Sequence, residues 1–163
     1  LNHQNEFIQD YLFCIGLTET FKELTKGYKP EKHLELLFES LCSSTNFKAE
    51  EIKEVSKNFQ KEFLNKSSKD LLKLLKEKSN SKPYQSRILN LGIYILISNT
   101  QDLKGGNQAK MNNIIFEIFE KLNLSKNKAE KDIGIYRSSI SKMEQAKELI
   151  EELKIKDKKK VEK

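Results

Sequence analysis

The chain has no tryptophan and only two cysteines, two histidines, two prolines and six glycines among 163 residues. Each shortage removes a class of explanation. Two cysteines cannot frame a disulfide-stapled fold. Cys14 and Cys42 lie in apolar helical contexts and read as small core residues of a reducing compartment. His3 and His33 stand outside any pattern of Cys or paired carboxylates at metal-ligand spacing, so no metal site is expected. No serine sits in a nucleophile elbow. Gly105-Gly106 lacks the Lys-Ser/Thr that a phosphate loop requires, and the stretch from Gln101 to Gln108 reads as a flexible connector. No apolar run reaches the about 18 residues that span a bilayer. The longest candidate, Ile88 to Ile97, is short and holds Asn90 and Gly92. The sequence therefore nominates no catalytic residue, no cofactor-binding residue, no metal and no small-molecule substrate. The chain begins at Leu1 rather than Met, so a segment is expected before it, and any targeting peptide would lie there.

What is present is a near-even mix of hydrophobic (37%) and charged (33%) residues, which suits one globular domain with a heavily charged surface. The net charge of +6 permits contact with nucleic acid, anionic lipid or an acidic protein face. The lysines are mostly interleaved with glutamates, as on solvated helix faces. Lys53, Lys57 and Lys61 stand four apart, but Glu50, Glu51, Glu54 and Glu62 are mixed among them, so the nucleic-acid signal is weak. The Lys156 to Lys160 tail could touch lipid headgroups, although Asp157 and Glu162 dilute it.

Apolar spacing predicts an all-α bundle of six to seven helices, with no strand alternation and no internal repeat. The first helix runs from about Phe7 to Thr25 and stops at Gly27-Tyr28-Lys29-Pro30, where Gly27 supplies a positive φ and Pro30 opens the next helix. Leu34, Leu37, Phe38 and Leu41 form one stripe on helix two. Ile52, Val55, Phe59 and Phe63 form another on helix three. Leu71, Leu72, Leu74 and Leu75 mark a short fourth helix, and Ser79 to Pro83 reads as a linker. Tyr84 to Asn99 is apolar on more than one face, as a central helix is. Ile114, Ile115, Ile118, Phe119 and Leu122 make the sixth helix.

Ser125 caps a last helix from about Lys126 to at least Lys154. Its apolar steps through Ile133, Tyr136, Ile140, Met143, Ile150 and Leu153 alternate three and four, with Lys147 in the slot between Met143 and Ile150. That is a short heptad seam. Two parts are expected: residues 1–125 as a helical bundle, and 126–163 as a long C-terminal helix with a charged tail, its first half packed on the bundle. Arg87 and Arg137, the two arginines among many lysines, are candidate anchors, because the planar guanidinium holds a carboxylate in fixed geometry.

Three blocks carry a family pattern. The first is Asp10-Tyr11-Leu12-Phe13-Cys14-Ile15-Gly16-Leu17, then Phe21 and Gly27-Tyr28-Lys29-Pro30. The second is Tyr84-Gln85-Ser86-Arg87 followed by Gly92, with Gln85 an extra residue in the pattern. The third is Asp132-Ile133-Gly134-Ile135-Tyr136 leading into Gln145-Ala146-Lys147-Glu148-Leu149. In this order and spacing the chain resembles the thylakoid formation protein family of cyanobacteria and plastids, over nearly its whole length but without that family's N-terminal segment. Cys14 stands where the family usually has alanine.

The resemblance implies a non-enzymatic helical protein on the cytoplasmic side of the thylakoid membrane of a cyanobacterium, or at its plastid equivalent, soluble or peripheral. Its implied work is thylakoid membrane biogenesis and photosystem II assembly or repair, by binding and stabilising the FtsH membrane protease complex. Nucleic acid is disfavoured; a basic helical nucleic-acid-binding domain is the alternative. The partner-binding candidates are Ile140, Met143, Lys147, Ile150 and Leu153. The motif residues Asp10, Gly16, Tyr28, Arg87 and Tyr136 are expected to be structural: Gly16 for close helix approach, Tyr28 to plug the turn, and Arg87 for an ion pair with Asp10 as candidate partner.

Overall fold

The computed structural model describes residues 10–78 and 84–161, with backbone alone for 159–161. Phe7, His3 and the Ser79 to Pro83 linker lie outside the described residues. Seven helices and no strand occur among those described: α1 (Tyr11–Leu24), α2 (His33–Ser44), α3 (Ala49–Phe63), α4 (Ser68–Lys78), α5 (Arg87–Ser98), α6 (Gln108–Lys121) and α7 (Lys126–Val161).

Short polar side chains set several of the boundaries. Asp10 accepts from the N–H groups of Leu12 and Phe13 at the start of α1, Ser86 from Leu89 at the start of α5, and Asn107 from Ala109 at the start of α6. Asn46, Asn65 and Asn123, in the turns after α2, α3 and α6, take φ values of 59°, 62° and 57°. Asparagine tolerates the left-handed region because its short amide bonds locally. This is how a chain with few glycines turns so often. Gly27 supplies the corresponding turn after α1, at φ 83°.

The centre is the crossing of α1 and α5. A Cβ on Gly16 would lie 2.0 Å from the Ile88 carbonyl oxygen, and one on Gly92 would lie 2.0 Å from that of Leu12. Two glycines therefore meet face to face and let the two backbones touch. Around this crossing Ile15, Leu89, Ile93, Ile97, Ile115, Phe119 and Ile133 are fully buried, joining α1, α5, α6 and α7 in one core. A smaller cluster, Phe13, Cys14, Phe38, Cys42, Ala49 and Ile52, holds α2 and α3 against the other side of α1.

Several local expectations are revised. Pro30 does not open α2; its carbonyl accepts from His33 and the helix starts there. Of the α2 stripe only Phe38 is buried, while Leu37 and Leu41 are exposed, because α2 has a single neighbour face to pack on. The Gln101 to Gln108 stretch is more than a connector. Leu103 is buried, and the Asp102 carboxylate accepts from the Ser68 N–H at 2.8 Å and from the Ser68 hydroxyl, so it caps α4 from a distance in sequence. Burial pushes the Asp102 carboxyl up, but these hydrogen bonds outweigh it and hold the group below its ordinary value.

Candidate functional site

The feature that distinguishes this bundle is α7, 36 residues long where the other helices have 15 or fewer. Its first turns are fixed by a polar node. Asp132 is buried; its Oδ1 accepts from Arg87 Nε at 3.2 Å and its Oδ2 from Asn90 Nδ2 at 2.9 Å. The Asn90 Oδ1 in turn accepts from Gln85 Nε2 at 3.0 Å, and Gln85 Oε1 accepts from the Ser125 N–H at 2.8 Å. A buried carboxylate is tolerated only when its lone pairs are satisfied. Here an amide and a guanidinium do so. The partner of Arg87 is thus Asp132, 45 positions away, and not Asp10, whose carboxylate is used on the first turn of α1. Burial raises the Asp10 pKa despite those two N–H bonds. Gln85, which looked like a spare residue in its motif, ties the α5 approach to the start of α7.

Further along, Ala129 and Ile133 enter the core, and the Tyr136 ring meets Tyr94 edge-on at 6.1 Å. Burial, then the nearby Glu23 carboxylate, pushes the Tyr136 hydroxyl up to about 12. Arg137 donates from Nε to the Tyr94 hydroxyl at 3.1 Å. Ile140 and Met143 are half-buried. Lys147 then donates from Nζ to the Lys26 carbonyl, one of the unsatisfied acceptors just past the C-terminal end of α1. Its place in the hydrophobic seam follows: a cation there closes off α1. Tyr28 does not plug this turn, since its ring is exposed.

Beyond Lys147 the packing ends. Leu149, Ile150, Leu153 and Ile155 are 61%, 51%, 59% and 53% exposed on a continuing helix. Leu149, Ile150 and Leu153 share one face, whereas Ile155 lies about 160° round the helix from Leu153. Of the seam residues, then, Ile140, Met143 and Lys147 lie in the attached half, and Ile150 and Leu153 in the free half.

Nothing among the described residues gathers a nucleophile, base and acid. The Cys14 thiol is pushed up to about 12 by burial, then by the Asp10 charge, and stays protonated and unreactive. Glu35, Glu39 and Glu50 approach one another on the surface, and Lys53 bonds Glu35 at 3.1 Å and Glu50 at 3.5 Å, which makes them a surface ion-pair group. No described helix is long and apolar enough to cross a membrane.

Comparison with known proteins agrees with this architecture. The chain is 81% identical over 160 residues to Protein Thf1 of Prochlorococcus marinus strain MIT 9312, covering 98% of this chain and 80% of that one. It is 66% identical to Protein Thf1 of Prochlorococcus marinus subsp. pastoris strain CCMP1986, covering 98% and 79%. The fold superimposes on a solved structure of Psb29 with a TM-score of 0.76 at 23% identity, covering 94% of this chain and 77% of that one. The model of the thylakoid formation protein family matches residues 1–163, and the chain belongs to that family.

Proposed function

We propose that this protein is a non-enzymatic accessory factor that binds and stabilises an FtsH-type membrane protease complex serving photosystem II assembly and repair. It works from the cytoplasmic face of the thylakoid as a soluble or peripheral protein. The family supports a role in thylakoid formation. The observation that carries the mechanism is the exposed stripe Leu149, Ile150 and Leu153 on the unattached half of α7. A helix delivered by a rigid bundle presents apolar anchors at i, i+3 and i+4 to a groove with little ordering cost, because the helix already exists before binding. Ile140 and Met143 extend that stripe where a partner also reaches the bundle.

The nucleic-acid alternative loses ground. Surface lysines are repeatedly matched to nearby carboxylates: Lys22 with Glu19, Lys48 with Glu51, the half-buried Lys78 with Glu62, Lys121 with Glu117 and Lys126 with Glu120. Such pairing dilutes the phosphate-tracking stripe that non-specific binding needs.

The test is co-purification of the tagged chain from gently solubilised thylakoids, with a second sample truncated after Ala146. The expected result is recovery of the protease complex with the full chain and its loss with the truncation. Equal recovery with both would sink the assignment to α7, and recovery with neither would sink the protease reading.

A further inference from the structure

Between α1, α2 and α3 runs an open groove of about 530 Å³, within the roughly 300–1,000 Å³ of small-molecule sites. One side is apolar. Phe21 and Phe38 meet there edge-to-face at 5.0 Å, and Leu34 extends the wall. The α3 side is polar and carries two pairs of residues four apart, Ser56 with Gln60 and Lys57 with Lys61.

Ser56 is 1% exposed, so its hydroxyl depends on partners other than bulk water. Gln60 donates from Nε2 to Ser56 Oγ at 2.9 Å and to Glu19 Oε1 at 3.1 Å. Turning the amide over would set its carbonyl oxygen against the Glu19 carboxylate, so Gln60 is held as a donor to Ser56. The Ser56 hydroxyl therefore accepts, and among the described residues its own proton meets no acceptor. Thr18, on the α1 side of the same groove, differs: its hydroxyl donates to the Cys14 carbonyl at 2.8 Å. Ser56 lacks an acceptor, and the groove is the side from which one can enter.

The surrounding charges decide what that acceptor is. Glu35, a carboxylate in the lining, is held by Lys53 at 3.1 Å, and Lys53 also reaches Glu50. Lys22 is held by Glu19 at 2.6 Å. Lys57 and Lys61 are exposed, and among the described residues no carboxylate lies within ion-pair distance of either. An anion satisfies the hydroxyl and both ammonium groups. The aromatic wall behind it favours an apolar body. A headgroup resting on a bilayer surface does not reach a fully buried hydroxyl, whereas a single molecule entering the slot does.

We propose that this groove binds a long-chain carboxylic acid. Its carboxylate accepts from the Ser56 hydroxyl and lies beside the Lys57 and Lys61 ammonium groups. Its alkyl chain covers Phe21, Leu34 and Phe38. The occupant bridges α2, whose Leu37 and Leu41 are left exposed, to α1 and α3. Hydrolysis of an ester-linked acyl lipid is the class of reaction that supplies such an acid. The inference is independent of the protease reading.

The experiment is titration of the purified full chain with cis-parinaric acid, whose fluorescence rises in an apolar site, followed by displacement with palmitate and with hexadecanol. Saturable binding at one site per chain is expected, with hexadecanol at least about tenfold weaker than palmitate. Lys57→Ala/Lys61→Ala, on the surface, and Ser56→Ala, which removes only a hydroxyl, should each weaken binding about tenfold. Circular dichroism checks that each variant keeps its helix content. A palmitate analogue with a terminal diazirine should label α1 or α2. Absence of saturable binding overturns the proposal. So does equal affinity for the alcohol, affinity untouched by both variants, or label confined to α7. Binding to phosphatidylglycerol vesicles through Lys57 and Lys61, with no uptake of the free acid, also overturns it and makes the face a membrane contact.

Discussion

The two halves of α7 share one backbone helix and one run of apolar spacing, yet they have opposite fates. From Ala129 to Met143 the apolar positions meet α5, α6 and α1, and a buried carboxylate fixes the rotation of the helix. From Leu149 to Ile155 the same kind of positions face water. The bundle ends at the change, and beyond it the three-and-four slots fall on Ile150, Lys154 and Asp157. Lys147 marks the point, satisfying the last thing α1 has to offer, a free carbonyl. Amphipathic pattern thus states that a face wants burial. Only tertiary length decides whether the burying surface is its own domain or another molecule.

The comparison is broken most severely by removing the crossing on which the proximal half rests. Gly92→Ala places a methyl 2.0 Å from the Leu12 carbonyl oxygen. Backbone has to move, and a loss of about 3 kcal/mol or more is expected, read as the midpoint of urea unfolding. A fall below about 1 kcal/mol would show that α1 and α5 have room to separate. Next comes the direct contrast. Ile133→Ala, in the buried half, should cost about 2–4 kcal/mol, because it leaves a cavity. Leu153→Ala, in the free half, should change stability by less than about 0.5 kcal/mol while weakening partner capture. Equal costs would mean that the distal half is packed after all.

Two smaller changes sharpen the boundary. Asp132→Ala leaves the Asn90 amide without its acceptor in a buried site and should cost about 1–3 kcal/mol by the same unfolding measurement. Lys147→Ala should cost about 0.3–1 kcal/mol and speed amide hydrogen exchange near the C-terminal end of α1, with little change at Ile133.

The helices and the order of the turns were legible in the sequence, because each rests on local spacing or on a residue type with one strong use, whereas the role expected of Gly16 came with the family motif. The distal face was legible in part, since Ile150 falls on the three-and-four rhythm and Leu153 lies one turn further on. What was hidden depends on distance in the chain. Arg87 has Asp132 as partner and not Asp10, and nothing within either segment distinguishes the two carboxylates. The mutual fit of Gly16 and Gly92 needs both helices in place. Asp102 caps α4 from 34 residues away. The exposure of Leu37 and Leu41 follows from how few neighbours α2 has, which its own stripe does not encode. Lys147 stood out as a break in the seam, and its charge could have suggested a helix C-terminus, but not which one.

The smallest expected effect separates the halves by pH. The Tyr136 hydroxyl, in the attached half, is pushed up to about 12 by burial and then by the charges of Glu23 and Glu19, whereas in the unfolded chain it titrates near its ordinary 10. A folded-state value above the unfolded one means that the fold favours the protonated phenol. Its contribution is therefore fully present below about pH 10 and is lost as the pH rises toward 12, because the unfolded state releases its proton first. Solvent screening keeps the effect below about 1 kcal/mol. Tyr11 is raised in the same way and lysines titrate in the same range, so the single-chain slope mixes several groups. The difference between the parent and Tyr136→Phe isolates one. Unfolding midpoints at pH 9 and pH 11 should converge more closely in Tyr136→Phe than in the parent. Truncation after Ala146 should leave the slope unchanged, since the free half holds no tyrosine. A slope that instead followed the truncation would place the alkaline sensitivity in the distal lysines and detach Tyr136 from the stability of the anchored half.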